Sequence, residues 1–189
     1  MNAPGRIIIV AKPQIEALRA PMAVIYRDAF LPPPYNKPEA EIAEFARDFP
    51  GHTEREGFRL AAAFAGESER LAGFAYGYAS RAGRWWQDAV RPALAEDVAA
   101  HWLGDSFFVA EIAVEPRFQG QGIGGRLHDE LLRGLPYPRA LLSTLQAESA
   151  AHRLYLARGW QVLLSDFFFP GVGRRYQVMG KELAVIENS

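Results

Sequence analysis

The chain has 189 residues, 49% of them hydrophobic and 23% charged, with a formal net charge of -1. That length suits one domain with a substantial core, and a near-neutral chain has no global basic field for nucleic acid or an anionic membrane. There is no cysteine, which excludes disulfides, thiolate metal sites and a cysteine nucleophile and fits a reducing cytoplasm.

Ile7 to Val10 is the longest apolar run near the start, too short for a signal-peptide core or a membrane span. The expectation is a soluble, cytoplasmic protein, one domain over 1–189, with neither nucleic acid nor membrane as partner. Arg6 to Ala11 reads as a first strand. Ile15 to Phe30 carries Ile15, Leu18, Met22, Ile25 and Tyr26 at helical spacing, with Pro21 expected to interrupt or kink the helix. Leu31-Pro32-Pro33-Pro34-Tyr35 is a stiff connector. Glu39 to Phe49 follows as a helix with Ile42, Phe45, Ala46 and Phe49 on one stripe.

Phe58 to Ala65 and Leu71 to Ala79 read as a hairpin turning at Gly66-Glu67-Ser68-Glu69. Between Arg84 and Leu103, Asp88 is placed to cap a helix holding Val90, Leu94, Val98 and Trp102, with Pro92 near its start. Phe107 to Val114 is a central strand, and Gly122 to Leu135 a helix with Leu127, Leu131, Leu132 and Leu135 on one face. Arg139 to Leu145 is a strand, and Ser149 to Arg158 a helix closed by Gly159. Gln161 to Phe169 and Arg175 to Leu183 are final strands about the Pro170-Gly171-Val172-Gly173 turn, and the polar tail Glu187-Asn188-Ser189 frays. The order β-α-α-β-β-(α)-β-α-β-α-β-β predicts an α/β class: a mixed, mostly antiparallel sheet with one parallel crossover and helices on both faces.

Chemistry concentrates where the Phe107–Val114 strand runs through Glu115-Pro116-Arg117-Phe118 into Gln119-Gly120-Gln121-Gly122-Ile123-Gly124 and a helix. Glycines at 120, 122, 124 and 125 let main-chain N–H groups converge without obstruction, and the helix start adds unpaired donors and partial positive charge. The pattern is an anion loop for phosphate or pyrophosphate, with Arg117 and Arg126 nearby. Gly120-x-Gly122-x-x-Gly125 formally satisfies the dinucleotide fingerprint, but five residues (Glu115 to Gln119) separate it from its strand. Antiparallel strands also precede it, and the absence of Gly-Lys-Ser/Thr excludes a Walker-type loop.

Gln119-Gly120-Gln121-Gly122-Ile123-Gly124 resembles the Arg/Gln-x-x-Gly-x-Gly/Ala loop of the GCN5-related N-acetyltransferase superfamily. Ala113-Val114-Glu115-Pro116 before it, and Ala151-His152-Arg153-Leu154-Tyr155 with Gly159-Trp160 after it, resemble the family's flanking strand end and late helix. The resemblance implies acetyl-CoA as cofactor, its pyrophosphate on the N–H groups of Gln119, Gly120, Gln121, Gly122, Ile123 and Gly124. Its pantetheine arm would pair with the main chain of Ile112, Ala113 and Val114, where that strand splays from the next parallel strand near Ser143. Where the family often has asparagine, seven residues before the tyrosine, this chain has Glu148.

Transfer to an amine requires a base, because an ammonium with pKa of about 10 has no lone pair to attack with. It also requires an oxyanion donor, for which the Val114 N–H is the candidate, and a proton for the leaving thiolate. The resemblance puts the Tyr155 hydroxyl near the cofactor sulfur as acid. Glu111, the one charged residue in its strand, alternates onto the face of Val109 and Ala113. A carboxylate there is either paired or placed as base, and ordered water can equally carry the proton. Histidines 52, 101, 128 and 152 show no ligand spacing, so no metal is expected, and His128-Asp129-Glu130 reads as a solvated helix face. Trp85-Trp86 and Phe167-Phe168-Phe169 line an acceptor pocket, belong to the core or cover a homodimer surface. Tyr35 and Glu39 are weak acceptor-site candidates. The acceptor is a small-molecule or protein amine; a non-catalytic acyl-CoA-binding domain and a nicotinamide oxidoreductase are the competing functions.

Overall fold

The computed structural model describes residues 5–66 and 70–184. The hairpin turn expected at 66–69 and the tail expected at 187–189 therefore lie, save Gly66, outside the described residues. Seven strands are hydrogen-bonded in the order β1-β2-β3-β4-β5-β7-β6, a mixed sheet with one parallel pair, as the sequence predicts. The chain divides into two compact units, Met1–Tyr78 with Ala110–Arg133, and Ala79–Val109 with Gly134–Ser189. Among the described residues no helix is long and apolar enough to cross a membrane.

In the first unit β1 (Ile7–Ile9), β2 (Arg59–Ala65) and β3 (Arg70–Ala79) form an antiparallel ribbon. Strand β3 alternates large and small residues: Phe74, Tyr76 and Tyr78 on one face, Gly73, Ala75 and Gly77 on the other. The aromatic face receives the helices α1 (Lys12–Phe30) and α2 (Glu39–Thr53). Phe45 stacks on Tyr26 at 4.1 Å and on Phe74 at 5.8 Å, and Phe49 meets Tyr76 edge-on at 5.3 Å. The small face admits α5 (Ile123–Leu132), whose Leu127 approaches Gly73.

Pro21, expected to interrupt or kink the first helix, lies inside it, and Pro50 lies inside the second. Helix α1 is continuous through Pro21 and α2 runs past Phe49 through Pro50. One proline deletes one backbone bond of a long helix, and in α1 buried Ile15 on one side and Met22, Ile25, Tyr26 and Phe30 on the other anchor both halves. The stripe on α2 is Ile42, Phe45 and Phe49; Ala46 is exposed.

In the second unit the segment expected as one capped helix is three pieces: α3 (Trp85–Val90), a 3-10 turn at Arg91–Ala93 containing Pro92, and α4 (Glu96–Trp102). Pro92 ends the first helix, where it was expected to sit near the start of a longer one. Asp88 lies inside α3 and accepts the Gly83 N–H at 3.0 Å. The start of β4 (Ser106–Val114) runs parallel to β5 (Arg139–Leu145) over three pairs, Ser106↔Arg139, Phe107↔Ala140 and Phe108↔Leu141. Strand β5 pairs antiparallel with β7 (Tyr176–Glu182) along its whole length, and β6 (Gln161–Phe167) pairs antiparallel with β7. Helix α6 (Ala150–Ala157) starts at Ser149, whose Oγ accepts the His152 N–H at 3.1 Å, and ends at Gly159 with φ of 75°. The closing glycine matches the cap read from the sequence, and the structure adds Ser149 as the side-chain cap at the start.

A Cβ on Gly73 would lie 2.8 Å from the Ala113 carbonyl oxygen and 3.2 Å from the Val114 Cα. Both are backbone atoms, so the strands themselves would have to part. Gly73→Ala should lower the urea-unfolding midpoint by an amount equivalent to about 1–3 kcal/mol, the usual cost of overpacking, despite alanine's better strand propensity.

Candidate functional site

The glycine loop has the conformation that its glycines predict. The end of β4 is tied to β3 by the Glu115 N–H to the Ala72 carbonyl at 2.9 Å, and a 3-10 turn, Pro116–Phe118, carries the chain away from the sheet. Gly120 and Gly122 then take φ of 73° and 77°, the left-handed region, with open space where a Cβ would sit. Conformation, not crowding, is what demands glycine at these two positions. Gly122 is the N-terminal cap of α5, and the first N–H to return into the helix is that of Arg126, to the Gly122 carbonyl at 3.1 Å. The N–H groups before it have no acceptor within the helix. Side chains brace the loop from below: Gln119 Nε2 donates to the Val114 carbonyl at 3.0 Å and Gln121 Nε2 to the Arg117 carbonyl at 3.2 Å. Arg70 and Arg117 both meet Glu115 Oε1, at 2.8 and 2.9 Å, which places two guanidinium groups at the loop's entrance.

Glu111 lies on the same unit, three residues before Val114. Its carboxyl accepts from the Tyr26 hydroxyl of α1 at 3.4 Å, and the Lys37 ammonium donates to that hydroxyl at 2.5 Å. Burial pushes the Glu111 carboxyl above its ordinary range, while the Lys37 charge and the Tyr26 hydroxyl pull it down. On β3, the buried Tyr76 phenol is pushed well above its ordinary value by burial first and then by the Glu111 charge, so it stays protonated. Its oxygen lies 3.0 Å from Nδ1 of His52. Burial and then the Arg55 charge lower His52 to about 4, and Arg55 itself sits 4.3 Å over the Tyr78 ring.

Tyr155 belongs to the second unit. It is the one buried residue of α6, packs edge-on against Trp160 at 5.8 Å, and its carbonyl accepts the Trp160 N–H at 3.1 Å. Trp86 is buried and donates from its indole nitrogen to Ser143 Oγ at 3.1 Å, with Phe108 against it at 4.5 Å. The two aromatic clusters divide by residue: Trp86 and Phe169 are core, whereas Trp85 and Phe168 are exposed. Tyr35 packs edge-on to Phe30 at 4.8 Å, and Glu39 is held by Arg27 at 2.6 Å. Glu148 is exposed.

One residue here departs from its sequence reading. His128 is buried, 2% exposed, because it lies beside Leu127 and Leu131 on the inward face of α5; only its neighbours Asp129 and Glu130 keep surface. Tyr26 is core, as its place in the helical stripe predicts, and its hydroxyl in addition links Lys37 to Glu111. Lys37 itself was missed. Its one signal in the sequence is rarity, a lysine in a proline-rich connector of a chain with 18 arginines and three lysines. Among the described residues no three His, Asp or Glu side chains converge as a metal site.

Residues 67–162 match the family model described as an acetyltransferase (GNAT) domain. The chain belongs to the GNAT acetyltransferase family. The GCN5-like protein acetyltransferase Rv2170 of Mycobacterium tuberculosis is 31% identical over 121 residues, which are 60% of this chain and 59% of that protein. The match thus spans under two thirds of that relative's length. The PaiA N-acetyltransferase of Thermoplasma acidophilum, solved with coenzyme A, superposes with a TM-score of 0.60 at 14% identity, covering 95% of this chain and 100% of that one. The protein yncA of Salmonella typhimurium, solved with its cofactor acetyl-CoA, gives 0.56 at 14% identity, covering 97% and 96%. These two likenesses concern the fold.

A histidine lowered from 6.5 to about 4 in the folded chain charges more readily once unfolded. Stability should therefore fall as pH drops from about 6.5 towards 4, where the unfolded chain binds the extra proton. Replacing His52 with Gln should flatten that part of a plot of unfolding midpoint against pH and leave the region above pH 7 nearly parallel to the parent's.

Proposed function

We propose that this protein is an acetyl-CoA-dependent N-acetyltransferase that moves the acetyl group directly to a primary amine, with residues 1–189 working as one domain. The observation that carries the reading is the loop 119–124, with left-handed glycines at 120 and 122 opening onto the free N–H groups of α5. That cradle suits a diphosphate, and the family relatives solved with coenzyme A or acetyl-CoA support coenzyme A as its source. The short parallel ladder of β4 and β5 supports the expectation that Ile112, Ala113 and Val114 offer main-chain groups to the pantetheine arm.

Bound acetyl-CoA supplies a thioester carbonyl. Glu111 takes a proton from the acceptor ammonium, the freed amine attacks, and the carbon–nitrogen bond forms as the carbon–sulfur bond breaks. The Val114 N–H donates to the developing oxyanion, Tyr155 gives a proton to the departing thiolate, and the second proton of the attacking nitrogen, lost as the amide forms, returns to the Tyr155 oxygen through solvent. A protein amine is supported by the name of the Mycobacterium relative, a protein acetyltransferase, and small-molecule amines belong to the same chemistry. A cysteine-free chain suits work in the cytoplasm.

Release of free thiol from acetyl-CoA in the presence of an amine and peptide panel tests the reading. Tyr155→Phe and Glu111→Gln should each slow turnover by about 10²-fold or more, with coenzyme A affinity unchanged. Binding without turnover by the parent on every amine would favour a non-catalytic acyl-CoA-binding domain. In a separate measurement, Gly122→Ala should weaken coenzyme A binding by roughly 10-fold, since a left-handed alanine costs about 1–2 kcal/mol. Unaltered affinity there would place the diphosphate elsewhere.

A further inference from the structure

Lys37 lies in a connector that the fold bends back on purpose-built contacts. Asn36 takes a left-handed φ of 44°, its N–H donates to the Pro32 carbonyl at 3.1 Å, and the Lys37 N–H donates to the Phe30 carbonyl at 3.0 Å. The turn returns the lysine over the last turns of α1, where its ammonium sits 4.6 Å from the Phe30 ring centre and 4.8 Å from that of Tyr26. Its hydrogen bond goes to the Tyr26 oxygen. An ammonium only donates, so the tyrosine oxygen must accept there and its own proton is turned outward to Glu111 Oε1. We propose that Lys37, acting through Tyr26, is a positioning residue that holds the Glu111 carboxylate oriented and ready for the acceptor amine. The inference rests on Glu111 being the base in the function proposed above.

The surrounding groups leave this task to Lys37. From β3, Tyr76 faces the cluster as a neutral phenol and is bonded to His52 of α2. His52 is uncharged at neutral pH, and Arg55, just beyond α2, lies over the Tyr78 ring. The opposition to the burial of Glu111 comes first from the Lys37 charge and second from the Tyr26 hydrogen bond. That order fits the geometry, because 3.4 Å is long for an O–H···O bond. Losing the charge should therefore matter more than losing the hydroxyl.

The experiment compares the parent with Lys37→Met, Lys37→Arg and Tyr26→Phe in two measurements. The first is the pH profile of kcat/KM. The second is the infrared titration of the carboxyl band that disappears in Glu111→Gln. Lys37→Met removes a charge that favours the carboxylate, so both the acid limb and the band midpoint should move up by roughly 1 pH unit or more. Turnover should recover to within a few-fold of the parent above the shifted limb. Tyr26→Phe should shift both in the same direction by less, and Lys37→Arg should restore the parent profile. A lysine that merely packs over two rings predicts an unmoved limb and midpoint, or a rate lost equally at every pH, and either result overturns the inference. If Glu111→Gln turns over like the parent, the base assignment fails on its own, and the infrared midpoint still decides whether Lys37 governs this carboxyl.

Discussion

Strand β3 can come so close to the end of β4 because Gly73 has no side chain. With backbone atoms 2.8 and 3.2 Å from where its Cβ would be, that glycine sets the spacing at Ala113 and Val114, and the Glu115 N–H bond to Ala72 fixes the register just beyond. The same missing side chain lets Leu127 of α5 pack down on the strand. The direction in which Val114 presents its main chain, the point where the chain leaves the sheet, and the seat of the helix that follows thus share one cause. On the opposite face Phe74 and Tyr76 do the reverse, filling space against Phe45 and Phe49 and holding α1 and α2 off the sheet by the thickness of an aromatic layer. Alternation of small and large residues along one strand sorts which helices pack on which side.

That aromatic layer creates an electrostatic problem beside it. Glu111 shares its side with rings that exclude water, and an ionised carboxylate in such a place is costly unless something answers its charge. A full salt bridge to Lys37 would satisfy it and also occupy the lone pairs that a base needs. Interposing the Tyr26 hydroxyl separates the two charges by one hydrogen-bonded oxygen: the lysine's field still favours the carboxylate, and only one carboxyl oxygen is engaged. Lysine suits this geometry because its compact ammonium can donate to one oxygen while its stem lies over two rings.

Much of the fold was legible because its signals are local. Strand β5 has the bounds read from the sequence, Arg139–Leu145, and α6 ends at the closing glycine that the sequence predicts. The glycine loop was equally plain, since left-handed positions at 120 and 122 leave a compositional trace. What escaped was decided by tertiary partners. Pro21 fails to break α1, which has buried anchors on both sides of it, whereas at Pro92 the chain tightens into a 3-10 turn and leaves it through Leu94 with extended backbone. His128 looked solvated among charged neighbours but turns inward with Leu127 and Leu131. Periodicity shows that Tyr26 faces the core; it is silent on where the hydroxyl at the far end of that ring points. Nothing in residues 31–38 encodes Lys37's destination except a bend that requires Asn36 in a left-handed conformation.

On the proposed reading, loop and carboxylate make opposite electrostatic demands within a dozen residues of chain. The loop gathers N–H groups to receive a diphosphate, while Glu111 must stay anionic as that negative ligand arrives. Along an extended strand, the three residues from Glu111 to Val114 span roughly 10 Å, about one Debye length at moderate salt, and protein between charges screens less than water does. Each added negative charge therefore favours protonating the base. A cation that reaches Glu111 through Tyr26, carried by a connector outside residues 119–124, counters that effect. The Tyr26 bridge keeps that cation from neutralising the carboxylate it supports.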